Sequence, residues 1–159
     1  MKHKLQQLFS AVLAGCFLLV GNVPLALAQS SAPQGIEIND THFPDEKFRT
    51  YIKENMDKND DNTLSTEEAD AVTYLYLNYE GIRDLTGIEH FPNLKTLHVE
   101  LNRLSTLDVS QNKKLSALYA GNNELTSLIL PNQQANDTLR HLDVFANQLT
   151  TLDLTRSEE

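Results

Sequence analysis

Tryptophan is absent from this chain of 159 residues, and cysteine occurs once, as Cys16. Basic residues are scarce: 13 Lys and Arg face 22 Asp and Glu, a formal charge of −9. An acidic surface without tryptophan disfavours nucleic acid and anionic lipid as partners and is compatible with cations. The signatures of catalysis are missing as well. No nucleophile elbow, phosphate-binding glycine loop or paired-carboxylate motif occurs, so no enzyme is expected. The C-terminus shows no sorting motif.

The first residues read as an address rather than as structure. Lys2 and Lys4 form a basic start, and Leu8 to Val20 is apolar apart from Ser10 and Gly15. Gly21-Asn22, Pro24 and Ala26-Leu27-Ala28 follow. That order is a secretory signal peptide over residues 1–28, cleaved after Ala28. The apolar run is short for a membrane span, so no transmembrane anchor is expected after cleavage. Leu13-Ala14-Gly15-Cys16 resembles a lipobox, which would anchor the protein through a lipid on Cys16. The apolar Phe17-Leu18-Leu19-Val20 continues past that cysteine and favours the later cut and a secreted, extracellular protein. Loss of Lys2 and Lys4 takes the charge from −9 to −11 and leaves no cysteine. The mature chain must then be stabilised by packing or by a metal, not by disulfides.

Residues 29–35 are rich in Ser, Ala, Pro and Gln and read as a linker. Residues 36–71 have helical character. Pro44 suits a helix start, Asp45 and Glu46 suit its positive end, and Phe48, Tyr51, Ile52 and Met56 share a face. A second helix runs from Ser65 through Ala71, with Ser65 and Glu68 at capping-box spacing. Between the helices, residues 57–68 place oxygen-bearing side chains at alternate positions: Asp57, Asn59, Asp61, then Thr63, Ser65 and Glu68. A chain that curls around a cation supplies ligands at that period. Thr63 would offer its carbonyl, Ser65 its hydroxyl directly or through water, and Glu68 two oxygens. Apolar Leu64 would face the helices. The twelve residues resemble an EF-hand loop, which implies calcium. One departure is Asn62, where such loops carry glycine at a positive φ; asparagine is the best substitute. Dockerin modules use similar loops in tandem; with no second loop in this chain, that role is excluded.

From Val72 onward the period changes. Leu94-x-x-Leu97-x-Val99-x-x-Asn102-x-Leu104 returns as Leu115-x-x-Leu118-x-Ala120-x-x-Asn123-x-Leu125. It returns again as Leu139-x-x-Leu142-x-Val144-x-x-Asn147-x-Leu149. This is the leucine-rich repeat pattern, in the short bacterial form of about 21 residues. Units start at 72, 94, 115 and 139, and the first carries Glu80 in place of asparagine. Leu97, Leu118 and Leu142 should point inward from parallel strands about 4.8 Å apart, with Val99, Ala120 and Val144. Asn102, Asn123 and Asn147 should stack and satisfy turn backbone groups. Leu104-x-x-Leu107-x-Val109-x-x-Asn112 repeats the motif within one unit, so the convex side should be extended or weakly β, without helices. Pro131 to Thr138 bulges between units, and Asn136-Asp137-Thr138 there is a glycosylation sequon by spelling only. The fold class is therefore α+β: a short helix-loop-helix cap over residues 36–71, then a repeat solenoid over 72–159.

The strand positions left facing outward are Tyr74, Tyr76, Asn78, His98, Glu100, Tyr119, His141, Asp143 and Phe145. Tyr76, His98, Tyr119 and Asp143 should form one column, and Asn78, Glu100, Gly121 and Phe145 the next. Exposed aromatics on a rigid sheet suit a protein or a glycan, although tyrosine also favours strands for its own sake. A metal or catalytic role for His98, Glu100, His141 and Asp143 is poor, because the two pairs sit two strand spacings, roughly 10 Å, apart.

Residues 36 to the end resemble secreted bacterial leucine-rich repeat proteins that begin with a single EF-hand-like cap, and are distantly similar to internalins. The resemblance implies an extracellular recognition or adhesion module. The alternative is a non-catalytic glycan-binding module of a secreted carbohydrate-degrading system, and a third reading gives calcium a structural role alone. The last repeat, Leu149, Leu152 and Leu154, runs into Thr155-Arg156-Ser157-Glu158-Glu159 without a closing cap, so two readings stand: a short form of a longer array, or a last repeat that packs on another molecule, which predicts self-association through that end.

Overall fold

The computed structural model describes residues 35–131 and 138–152. The signal peptide, Cys16, the linker up to residue 34, Asn136 and Leu154 lie outside them.

Helix α1 spans Glu46–Asn55 and α2 spans Thr66–Ala71. Asp45 caps α1, its Oδ1 accepting the N–H groups of Lys47 and Phe48 at 2.9 and 3.1 Å. Its Oδ2 accepts Arg83 N–H at 2.8 Å and Asp84 N–H at 3.3 Å. One carboxylate thus starts the helix and ties it to the first repeat. Ser65 and Glu68 form the expected capping box on α2. No helix among the described residues is long and apolar enough to cross a membrane.

The helical reading of residues 36–71 misses two short strands. Gly35–Glu37 is β1, and it pairs antiparallel with β2, Thr63–Ser65, matching Ile36 to Leu64. The reason is local: Leu64 must bury its side chain, which it does completely, and an extended chain on either side of it leaves an edge to be paired. Gly35, the last residue of the expected linker, fills that edge with Ile36 and Glu37.

Phe43 wedges the cap against the first repeat. It is fully buried, edge-on to Phe48 at 5.8 Å and to His90 at 5.7 Å. Gly87, at φ 105°, makes room for it; a Cβ there would stand 2.3 Å from the Phe43 ring. A 3-10 turn at Ile88–His90 follows, so the convex side is not helix-free as the repeat pattern led us to expect. Its segment, Gly87 to Pro92, lacks the Leu-x-x-Leu-x-Val text of later convex segments and closes on a proline.

The repeats stack as the pattern requires. Strands β3 (Tyr74–Tyr76), β4 (Thr96–His98), β6 (Ala117–Tyr119) and β8 (His141–Asp143) form one parallel sheet in that order. Leu75, Leu97, Leu118 and Leu142 are in register; the first three are fully buried and Leu142 partly. On the convex side β5 (Thr106–Asp108) and β7 (Ser127–Ile129) pair in parallel.

The asparagines carry the stacking. Asn123 Nδ2 donates to Val99 O at 2.8 Å and Ala120 O at 3.1 Å, while its Oδ1 accepts Leu104 N–H at 3.1 Å. Asn102 does the same with Leu77 O, Val99 O and Ile82 N–H, and Asn147 with Ala120 O, Val144 O and Leu125 N–H. Each unit therefore supplies the partners of the unit before it. Convex Asn112 breaks the pattern: it donates to Ile88 O and Phe91 O, but its buried Oδ1 has no partner.

Two consequences are measurable. Asn123→Ala strands the buried Leu104 N–H, while Asn102 and Asn147 keep donating to the Val99 and Ala120 carbonyls, and should cost about 1–3 kcal/mol in urea unfolding. Asn147→Ala, in the more open last unit, should cost clearly less; equal losses would sink the directional account. His90 supplies the second. Burial lowers its pKa, Glu89 opposes and His42 adds to the shift. A histidine depressed in the folded state binds more protons when unfolded, so stability is full above its unfolded value of about 6.5 and falls as pH drops below it. His90→Phe, which keeps the ring against Phe43, should flatten thermal stability between about pH 7 and 5; an unchanged slope would refute the assignment.

Candidate functional site

The register of the sheet brings Tyr76, His98, Tyr119 and Asp143 into one row across β3, β4, β6 and β8. Tyr74, Thr96, Ala117 and His141 form the row beside it. Both follow from the two-residue alternation of a strand once the leucines face inward.

The rings are not independent. His98 and Tyr119 stack with centroids 4.3 Å apart and planes 9° from parallel. Tyr74 and Tyr76 each lean on His98 at 5.6 Å. His98 Nδ1 lies 3.5 Å from Glu100 Oε2, and that oxygen accepts the Asn78 amide at 2.8 Å. Asn78 Oδ1 in turn accepts the Glu100 N–H at 2.7 Å. Tyr74, Tyr76, His98, Tyr119, Glu100 and Asn78 thus form a single assembly centred on one imidazole. Tyr74 and Tyr76 remain about half exposed, at 53% and 50%.

His141, Asp143 and Phe145 share the face without joining that assembly. Asp143 Oδ1 accepts Phe145 N–H at 3.0 Å, and Phe145 is 72% exposed. Between them and Glu100 lies Gly121, where a Cβ would meet Asp143 Oδ1 at 3.5 Å.

The helical pattern placed Tyr51 in the core, but it also reaches this face. Burial raises its pKa, and the nearby Glu80 and Tyr74 add to that, while a hydrogen bond from the Tyr76 backbone opposes it. No spacing rule could have found it, because Tyr51 belongs to α1 and meets β3 only through the cap's docking.

The cap loop is ordered by its own carboxylates. Asp57, mostly buried, accepts Asp61 N–H on Oδ1 at 3.1 Å and Asn62 N–H on Oδ2 at 2.9 Å. Asn59 Oδ1 accepts Asp61 N–H at 3.2 Å, and Asp61 Oδ1 accepts Thr63 N–H at 2.8 Å. Asn62 sits at φ 62°, the conformation glycine holds in such loops, and Lys53 bonds its side chain. Glu68 joins the loop's ends, accepting Lys58 N–H at 2.8 Å on one oxygen and the Ser65 N–H and hydroxyl on the other. Burial alone would raise its pKa, but the bonds from Ser65 and Lys58, with the Lys58 charge, outweigh burial and lower it.

Among the described residues no three His, Cys, Asp or Glu side chains are gathered into a metal-holding group. The carboxylates instead spend oxygens on backbone N–H groups. The donor chemistry nevertheless fits a hard cation: Asp57, Asn59, Asp61, Thr63, Ser65 and Glu68 offer only oxygen, and a carboxylate oxygen that accepts one N–H keeps a lone pair.

The chain matches no model of a known protein family. Over 70 residues, 44% of its length, it is 34% identical to internalin J of Listeria monocytogenes serotype 4b, strain F2365. The solved functional domain of internalin J from Listeria monocytogenes superposes on 77% of the chain with a TM-score of 0.63 and 31% identity. The chain resembles internalins. A crystal structure of an internalin, InlF, from strain 4b F2365 of the same species covers the same share with a TM-score of 0.60 and 25% identity. The chain spans 8% of the curated internalin J and 26% and 36% of the two solved chains. The internalin J domain is described as including a cysteine ladder. This chain has no cysteine in its repeats and stacks asparagines instead.

Proposed function

We propose that the protein is an extracellular recognition module of the adhesion type, non-enzymatic, whose concave sheet docks a protein partner. The observation that carries this reading is the interlocked set Tyr74, Tyr76, His98 and Tyr119 on a rigid parallel sheet. Aromatics held at fixed positions supply contact area without new ordering cost on binding. The similarity to internalins supports it.

The cap loop is read as a calcium site held by Asp57, Asn59, Asp61, the Thr63 carbonyl, Ser65 and Glu68. Bound calcium would offset two of the three negative charges of Asp57, Asp61 and Glu68 and stiffen the link between α1 and α2. As a lone extracellular loop it should bind on the order of 10⁻⁵ to 10⁻³ M. Export by the signal peptide completes the reading.

Fluorescently labelled protein should bind a cell surface in a manner abolished by protease pretreatment and by Tyr76→Ala or Tyr119→Ala. Sensitivity to glycosidase instead would transfer the function to the glycan-binding alternative. In the same preparations terbium luminescence should titrate with the wild type and vanish in Asp57→Ala; no signal at millimolar ion would remove calcium from the account. If calcium raises the melting temperature but leaves surface binding unchanged, its role is structural alone. Intact mass of the exported protein should begin at Gln29, whereas a lipidated Cys16 would replace secretion by anchoring.

A further inference from the structure

Three features separate the part of the concave face around Gly121 from the rest. The first is charge. Twelve positions of the four units face outward, at 74, 76 and 78, 96, 98 and 100, 117, 119 and 121, and 141, 143 and 145. They carry Glu100 and Asp143 and no Lys or Arg. Lys95 and Arg140 stand just before β4 and β8, at the margin away from Glu100. The second is the missing side chain at Gly121. In the row of Asn78, Glu100 and Phe145 it alone has none, and Asp143 Oδ1 and Phe145 O stand over it, 3.5 and 3.4 Å from where a Cβ would be. The third is the state of the rings. His98 spends one face on Tyr119 and is leaned on by Tyr74 and Tyr76, so its own faces are taken. Tyr119 has one ring partner among the described residues, His98, and its register neighbour on the other side, on β8, is Asp143.

We propose that this part of the face takes a cationic side chain, arginine or lysine, presented by a protein partner. This deepens the protein-recognition reading above and rests on it. A guanidinium over the face of Tyr119 away from His98 gains a cation–π contact, with Glu100 and Asp143 on either side of it and Phe145 covering it from water. Glu100 is already aligned by Asn78, so the carboxylate needs no reordering. A sugar ring needs an open aromatic face for its C–H groups, and most faces here are closed by neighbouring rings. An acidic segment would meet two carboxylates and no basic residue among the twelve positions.

The test is direct titration of the full chain with three ten-residue peptides, (Arg-Ser)5, (Gln-Ser)5 and (Glu-Ser)5, beside a glycan array. Binding should be confined to the arginine peptide and weaken as salt rises. Glu100→Gln, which keeps the Asn78 bond, and Tyr119→Ala should each lower affinity about fivefold. The exposed convex pair Asp84→Asn with Asp108→Asn removes equal or greater charge and should leave it unchanged. Should Tyr119→Ala unfold, Glu100→Gln decides alone. An equal loss in the convex variant would overturn the site, because general acidity would then explain the binding. Preference for the glutamate or glutamine peptide would overturn the cationic assignment and leave protein recognition standing. Glycan binding with no peptide bound at millimolar concentration would overturn both.

Discussion

The structure depends on one bond set repeated three times: an asparagine amide that donates to the carbonyl of the preceding unit and accepts an N–H from it. Asn102, Asn123 and Asn147 each bind backward, so a repeat is closed by its successor rather than by itself. A leucine-rich unit alone would leave a turn carbonyl and an N–H inside an apolar interior, at a cost of about 1–3 kcal/mol each. Stacking is thus enforced by polar groups as well as by the leucines. The same logic explains the end at which closure comes from elsewhere. The first unit has Glu80 in the asparagine position and has nothing before it to close; its carbonyl is used by Lys47 from the cap, at 2.9 Å.

The ladder also holds four residues in a conformation they would not choose. Tyr79, Leu101, Asn122 and Ala146 occupy the same place in successive units, with φ between 53° and 65°. Left-handed backbone costs a non-glycine residue roughly 1–2 kcal/mol. It persists because the N–H groups of the first three donate to Glu100, Gly121 and Phe145 carbonyls of the next unit at 2.8–3.1 Å. Only Asn122 is a residue type that signals such a turn, so the strain was invisible in the sequence while the periodicity around it was plain.

That contrast runs through the whole chain. The inward leucines, the asparagine column and the row of Tyr76, His98, Tyr119 and Asp143 were legible, because each follows from a local period of two or of about 21, and the capping box from a three-residue spacing; none needs knowledge of what lies opposite. The left-handed Asn62 was legible too, from its offset in the loop. What could not be read depends on meetings across the chain. β1 pairs with β2 because Leu64 is buried and exposes an edge. The 3-10 turn follows from Gly87 yielding to Phe43. Tyr51 meets Tyr74 and Tyr76 only after α1 docks. The asparagine column was read correctly, but the unpartnered Oδ1 of Asn112 on the convex side follows from no spacing in the sequence.

Closure by the successor and interlocking of the rings have a joint consequence for recognition. Strands of three residues are too short to hold side chains in place by themselves. Here the outward rings of β3, β4 and β6 are each braced by a ring on a neighbouring strand, and the strands are braced by the asparagines beneath. His98 is the common element: Tyr74, Tyr76, Tyr119 and Glu100 all bear on it. The ordering entropy of that face, up to about 1.5 kcal/mol for each immobilised side chain, is therefore met when the protein folds and not when a partner arrives. A face prepared in this way gains affinity from a few anchor contacts. The outward positions outside the braced set are Thr96, Ala117, Gly121, His141, Asp143 and Phe145, and the last four, on β8 and beside it, are where such a face would have room to discriminate.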